Sequence, residues 1–338
     1  MTTSFSKMTG IGLMVLAAIL LPFLTDNIYY IRIATLIGIY WVLVAGLNLV
    51  IGYCGQISIG HVGLLAMGAY CFAILAGKLG IDPWLSMLAA GAVGGACGMA
   101  LGLPSLRLPG FYFAMTTLAF AMIVTELSIA WEWLTGGGVG MMAPAFPGQL
   151  GTPSGFYWMV LAIGVIVSWL VWNLTRSSWG RAMISVRDSE VAAASVGVPI
   201  YRLKLYVFTF SGVLAGIAGA LFASYQSYIT PETFVFELSM FFFVCIVVGG
   251  RGSLIGPFIG TVVLAALPEV VAPLAHLGNF FYGVLLLLVV LLVPEGFGNL
   301  FQIIRDRIRP LARDREGIRP DLGRLSTTLQ QEAPKWRS

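Results

Sequence analysis

The chain has 338 residues, 58% hydrophobic and 10% charged, against roughly 45–50% and about 25% in soluble globular domains. Fifteen of its charged side chains fall in 294–338, leaving too few upstream to cover a water-soluble surface. A soluble enzyme, a nucleic-acid binder and a disordered chain are excluded, and an integral membrane protein with a short polar tail is predicted.

The apolar runs are continuous rather than alternating, which predicts an all-α, polytopic membrane protein rather than a barrel. Backbone in lipid must close its own hydrogen bonds, and about 20 apolar residues span the hydrocarbon. In chain order the candidate spans are 8–24, 31–51, 63–78, 84–104, 111–130, 156–175, 205–224, 238–250, 254–272 and 279–293, about ten transmembrane helices. Lys7 followed by Gly10–Leu24 has the outline of a signal peptide. However, Leu21-Pro22-Phe23 offers no small-residue cleavage site, so a retained first helix is expected. The eighth run is short, which fits a tilted, broken or protein-buried helix. A membrane domain over 1–298 and a polar tail over 299–338 complete the expected layout.

Orientation follows from Lys and Arg. Arg176, Arg181, Arg187, Arg202 and Lys204 cluster in 176–204, and nine more basic residues lie in 305–337, whereas 108–175 holds none. Placing both clusters in the cytoplasm fits the four spans between them. It also puts the N- and C-termini inside, Arg107 and Arg251 inside, and 131–155 outside. Lys78 and Arg32 then fall outside, as two minor exceptions.

Glycine is abundant, with 41 residues, many at small-xxx-small spacing: Gly91/Gly95, Gly94/Gly98, Gly98/Gly102, Gly212/Gly216 and Gly256/Gly260. In lipid such spacing predicts close approach of helix backbones. Intramembrane polar groups are costly and therefore functional suspects. Glu126 and Glu269 lie near span ends, and no mid-span carboxylate or histidine pair is visible. That weighs against an ion-coupled transporter and against a channel with a charged filter.

The segment 52–61, GYCGQISIGH, is polar and glycine-rich between two apolar runs. It reads either as a cytoplasmic turn or as backbone lining a water-filled cavity. In the second reading Gln56 and Ser58 hydrogen-bond a polar solute. Thr116 and Thr117 are weaker candidates for the same path, because threonine tends to bond within its own helix. His61 has no second histidine or acidic cluster nearby, and is expected to be a structural donor rather than a metal ligand. Cys54, Cys71, Cys97 and Cys245 are expected to be buried reduced thiols. The outer segments 131–155 and 225–238 carry Trp, Tyr and Pro, as interface-anchored loops or as a docking face for an outside partner.

The inner loop 179–204 reads WGRAMISVRDSEVAAASVGVPIYRLK. One short amphipathic helix is predicted from Trp179 through Ala194, stopped by Gly197 and Pro199. The run Glu190-x-Ala192-Ala193-x-x-x-Gly197 resembles the EAA loop of ABC importer permeases, in the spacing of the branched-chain amino-acid subfamily. Val191 takes the first EAA position and the acid is displaced to Glu190. Residues 46–70, 103–123, 134–141 and 246–260 resemble further blocks of that subfamily. The pattern is that of its M-type permease subunit (LivM type) rather than of its H-type partner.

This resemblance implies the permease, or translocation, subunit of a bacterial ABC importer in the inner (plasma) membrane. Its substrates would be branched-chain amino acids or related small polar metabolites. Urea, short amides and aromatic acids are alternatives within the family, and an ion-coupled secondary transporter is the rival class. The implied partners are a second permease subunit in a heterodimer, two ATPase subunits and a periplasmic substrate-binding protein. ATP and Mg would be bound by the ATPase subunits, with no cofactor in this chain and no nucleic acid. Coupling to the ATPase is assigned to Arg181, Glu190, Ala192, Ala193 and Gly197. None of Lys7, Lys78, Lys204 and Lys335 sits in a GxxxxGK[ST] loop, so the chain is not expected to be an enzyme.

Overall fold

The computed structural model describes Pro22 and residues 27–108 and 110–271. Most of the expected first span, the tenth span, Lys7 and the polar tail lie outside these residues. The second through ninth expected spans are helices. They are α1 (Ile28–Asn48, extended by a π-helical turn Leu49–Tyr53), α2 (His61–Phe72, extended by Ala73–Lys78), α3 (Pro83–Ser105) and α4 (Gly110–Ala130). After a short α5 (Glu132–Thr135) come α6 (Pro153–Arg176), α7 (Ser178–Asp188), α8 (Glu190–Ser195), α9 (Ile200–Gln226), α10 (Phe236–Gly249) and α11 (Ile255–Val271). Among the described residues, seven helical segments are long and apolar enough to cross a membrane, and α11 is a shorter apolar helix. Two-residue strands β1 (Met141–Met142) and β2 (Tyr228–Ile229) pair antiparallel.

Helix starts follow local chemistry. The Asn27 side chain accepts the Tyr29 N–H at 3.0 Å. Asp82 caps α3, which has Pro83 in its first turn, and Thr152 caps α6 ahead of Pro153. Side chains at these positions meet donors that a helix leaves unpaired, and proline there gives up no hydrogen bond.

Helix α9 is the centre of the bundle and packs on α3, α2 and α1. The expected glycine seams form there. A Cβ at Gly94 would fall on the backbone of Gly212 and Gly216, and one at Gly216 on the backbone of Ala90 and Gly91. Such contact needs residues with no side chain, and dispersion at close range holds the pair together. The short α10 packs against α11 in the same way, with Gly260 against the Cys245 carbonyl.

The two ends of the bundle group as the charge count predicted. At one end Lys78 Nζ donates to the Trp133 and Leu134 carbonyls at 3.0 and 2.6 Å, and Arg32 lies over the Tyr225 ring at 5.5 Å. The strand pair β1–β2 joins 131–155 to 225–238 at this end. At the other end Arg107 lies over the Tyr201 ring at 5.8 Å. The four cysteines are unpaired; Cys54 and Cys245 are buried as expected, whereas Cys71 and Cys97 are only half-buried. Glu126 is exposed on α4, and the Glu269 side chain falls outside the described ones.

Candidate functional site

The inner loop begins where Ser177 turns the chain out of α6 with an extended backbone and caps α7, accepting the Trp179 N–H at 3.2 Å. Helix α7 buries Gly180, Met183 and Val186 on one face. Gly180 lies so close to the Thr175 carbonyl that a Cβ would collide with it. The single helix expected through Ala194 does not form. Ser189 breaks it with φ −161° and ψ 114°, and its hydroxyl accepts the Ala192 N–H at 3.2 Å to start α8. A serine N-cap contributes about 1 kcal/mol, and here it redirects a run whose residues all tolerate helix. Gly197 ends α8 as expected, at φ +83°, a conformation that favours glycine.

The five residues assigned to coupling take different places. Arg181, Ala192 and Gly197 are exposed. Ala193 packs inward at 2% exposure. Glu190 accepts from Lys204 Nζ at 2.7 Å, and Lys204 itself is buried at 6% exposure. The loop instead exposes two apolar side chains, Val191 in the first turn of α8 and Val196 at its C-cap, 82% and 77% exposed.

The polar segment 52–61 begins within the π-helical turn of α1, which closes as the Cys54 N–H reaches the Leu49 carbonyl at 3.0 Å. Its two halves split the alternatives left open by the sequence. Gly55 and Ile57 are exposed and Gln56 half-buried, as in a turn, whereas Ser58, Gly60 and His61 are buried. Ser58 Oγ bonds His61 Nδ1 at 2.9 Å, and His61 Nε2 bonds Ser211 Oγ on α9 at 2.8 Å. The Ile59 N–H donates to Thr117 Oγ1 at 3.1 Å. Thr117 and Thr116 also donate back to the Ala114 and Tyr112 carbonyls, each at 2.8 Å. Of the four residues considered for a solute path, Gln56 alone lines the cavity of about 330 Å³ at this end, together with Gly55, Arg107, Glu190 and Lys204. Arg187 Nη1 of α7 donates to the Gly52 carbonyl at 3.0 Å.

The family model described as branched-chain amino acid transport system / permease component matches residues 29–291. The chain belongs to this family. It is 33% identical to the high-affinity branched-chain amino acid transport system permease protein LivM of Escherichia coli (strain K12), covering 87% of this chain and 75% of that one. It is 34% identical to the protein of the same name from Salmonella typhimurium, covering 78% of this chain and 68% of that one. It is 30% identical to the autoinducer 2 import system permease protein LsrC of Klebsiella pneumoniae, covering 53% of each chain. No solved structure matches. As a member of this permease family the chain is a multi-pass transport protein of the bacterial inner membrane and not itself an enzyme.

Sequence reasoning missed Arg187, Lys204, Ser211, Val191 and Val196 as site residues. The first three act through partners 135, 14 and 150 positions away, and such pairings leave no local pattern. For the valines, one signal was present: apolar residues in a loop otherwise rich in charge.

Proposed function

We propose that the chain is the translocation subunit of an ABC importer for branched-chain amino acids or related small polar metabolites, and that α7–α8 seats a separate ATPase. The permease role follows from the family. The substrate reading is favoured by coverage: the relatives named for branched-chain amino acids match 87% and 78% of the chain, the one named for autoinducer 2 only 53%. Urea, amide and aromatic-acid systems stay as alternatives within the same architecture. About ten helices and cytoplasmic termini complete the proposed topology, which rests on the distribution of Lys and Arg.

The observation that supports the coupling role is a short helix with exposed Val191, Ala192 and Val196, tied to α9 by the Lys204–Glu190 pair. Exposed apolar side chains on a short capped helix suit a groove on a soluble partner, because they gain most when a partner removes them from water. Arg181 lies exposed at the edge of the same loop, where it supplies a polar contact. Gly197 sets the exit angle through its positive φ. The assembly would comprise a second permease subunit, two ATPase subunits carrying ATP and Mg, and a periplasmic binding protein delivering solute to the end formed by 131–155 and 225–238. Gln56 is retained as a path residue, at the cavity beside the loop. Ser58, Thr116 and Thr117 have their hydroxyls committed to the protein, and are proposed to shape the path rather than to line it.

The test is reconstitution of the chain with its second permease, ATPase and binding-protein subunits in liposomes. Leucine uptake should require ATP and survive collapse of proton and sodium gradients by ionophores. Uptake that continues without ATP and stops with the ionophores would place the chain among ion-coupled transporters.

A further inference from the structure

The chain links the coupling loop covalently to α6 before it and α9 after it. Helix α1, which carries the broken segment, precedes the loop by more than 120 residues and needs another connection. Arg187 supplies it. Its Nη1 donates to the Gly52 carbonyl at 3.0 Å, and its Nε is held by Asp188 Oδ1 at 3.2 Å on the same loop. Gly52 lies in the last turn of α1, where carbonyls have no partner further along the helix, and a guanidinium donor is a strong substitute for one.

The surroundings are built to this side chain. Gly55, at φ +72°, leaves room for the Arg187 stem: a Cβ there would sit 2.8 Å from Arg187 Cγ. Gly252, at φ +74° in the turn between α10 and α11, leaves room for the head group: a Cβ there would sit 2.7 Å from Nη1. The same turn is tied to α1 by Asn48 Nδ2, which donates to the Ser253 carbonyl at 2.8 Å. Asn48 is fully buried, and its Oδ1 has no donor among the described residues. An unmet buried acceptor is costly to keep, and it lies one turn from the carbonyl that Arg187 holds. Beyond Gly52, the chain is fixed again at His61, which bonds Ser58 on its own segment and Ser211 on α9. Between these two anchor points lie Gly55 to Ile57, of which Gly55 and Gln56 line the cavity.

We propose that Arg187 is the positioning residue that transmits movement of the coupling helices to the broken span: displacement of α7 shifts Gly52 and the Gly250–Ser253 turn together, and so opens or closes the inner end of the path at Gly55–Ile57. This rests on the coupling role proposed for α7–α8, and it extends that role from the docking surface into the membrane bundle.

The experiment is performed on the full reconstituted complex, with leucine uptake and ATP hydrolysis measured together. Arg187→Met should assemble with the ATPases and keep hydrolysis within about twofold of wild type, while leucine moved per ATP falls about tenfold, the range of a typical coupling energy. Arg187→Lys, which keeps one donor but not the fork that also engages Asp188, should recover part of the loss. A wild-type ratio of uptake to hydrolysis in Arg187→Met overturns the proposal, as does an Arg187→Lys no better than Arg187→Met, which would reduce the side chain to packing. If Arg187→Met fails to assemble, Gly252→Ala decides, because it retains the arginine and displaces its head group: the same loss supports the proposal and a wild-type ratio overturns it. Absence of ATP-dependent leucine uptake in the wild-type complex would instead remove the coupling reading itself.

Discussion

The α3–α9 seam and the joint around Arg187 both depend on glycine, for opposite reasons. In the seam, Gly94, Gly212 and Gly216 lie inside regular helices, and what matters is the missing Cβ that lets two backbones touch. At the joint, Gly55 and Gly252 have positive φ and make room for a charged side chain arriving from another element. The first arrangement makes a rigid body, since close-packed backbones have one seating. The second makes a link held by a few polar contacts, which can exchange partners at low cost. A protein that converts movement at one end into access at the other needs both.

Breaking the rigid half should have the largest effect. Gly216→Val places a side chain into the Ala90 and Gly91 backbone, and should cost about 3 kcal/mol or more. The expected readout is near-complete loss of the chain from the membrane; a normal membrane level would show that the seam can part. Next comes the exit from α8. An added Cβ at Gly197 meets nothing within 4 Å, but φ is +83°, so Gly197→Ala meets no clash and carries only the left-handed penalty of about 1–2 kcal/mol. The protein should stay in the membrane while uptake per ATP falls about tenfold. Uptake unchanged in that variant would remove Gly197 from the coupling role.

The smallest effect is expected at the fixed end of the broken span. His61→Ala leaves the Ser58 and Ser211 hydroxyls buried without their partner, a loss of about 1–3 kcal/mol. The thermal unfolding midpoint in detergent should drop, with little change in uptake per ATP at permissive temperature. A drop in coupling with no drop in the midpoint would move His61 from anchor to moving part.

Much of the fold was legible because hydropathy and length act locally. The expected span 84–104 is the helix Pro83–Ser105, and 111–130 is Gly110–Ala130; caps such as Asp82 and Thr152 mark the starts. The glycine spacings foretold the seams, and the charge count grouped Lys78 with 131–155 at one end. The candidate site was legible only in outline. A break near 52–61 and a charged helical loop at 176–204 were both visible. The split of that loop at Ser189 was not, because capping competes with helix propensity over a few tenths to one kcal/mol. The Arg187–Gly52 and His61–Ser211 contacts, and the pairing of Met141–Met142 with Tyr228–Ile229, arise only after the bundle folds. They join residues too far apart, or strands too short, for any periodic signal.

The ATPase is proposed to sit on α8 and its C-cap, where Val191 and Val196 are exposed. The direct measurement is binding of the purified ATPase subunits to the permease in detergent, wild type against the double variant Val191→Asp, Val196→Asp. Both valines are exposed in the free chain, so the fold should be kept, and a normal unfolding midpoint checks that. The affinity should fall about tenfold or more, the loss expected when central apolar contacts of an interface are removed, and ATP-driven uptake should fall with it. Wild-type affinity in the double variant would contradict the assignment and place the ATPase elsewhere on the chain.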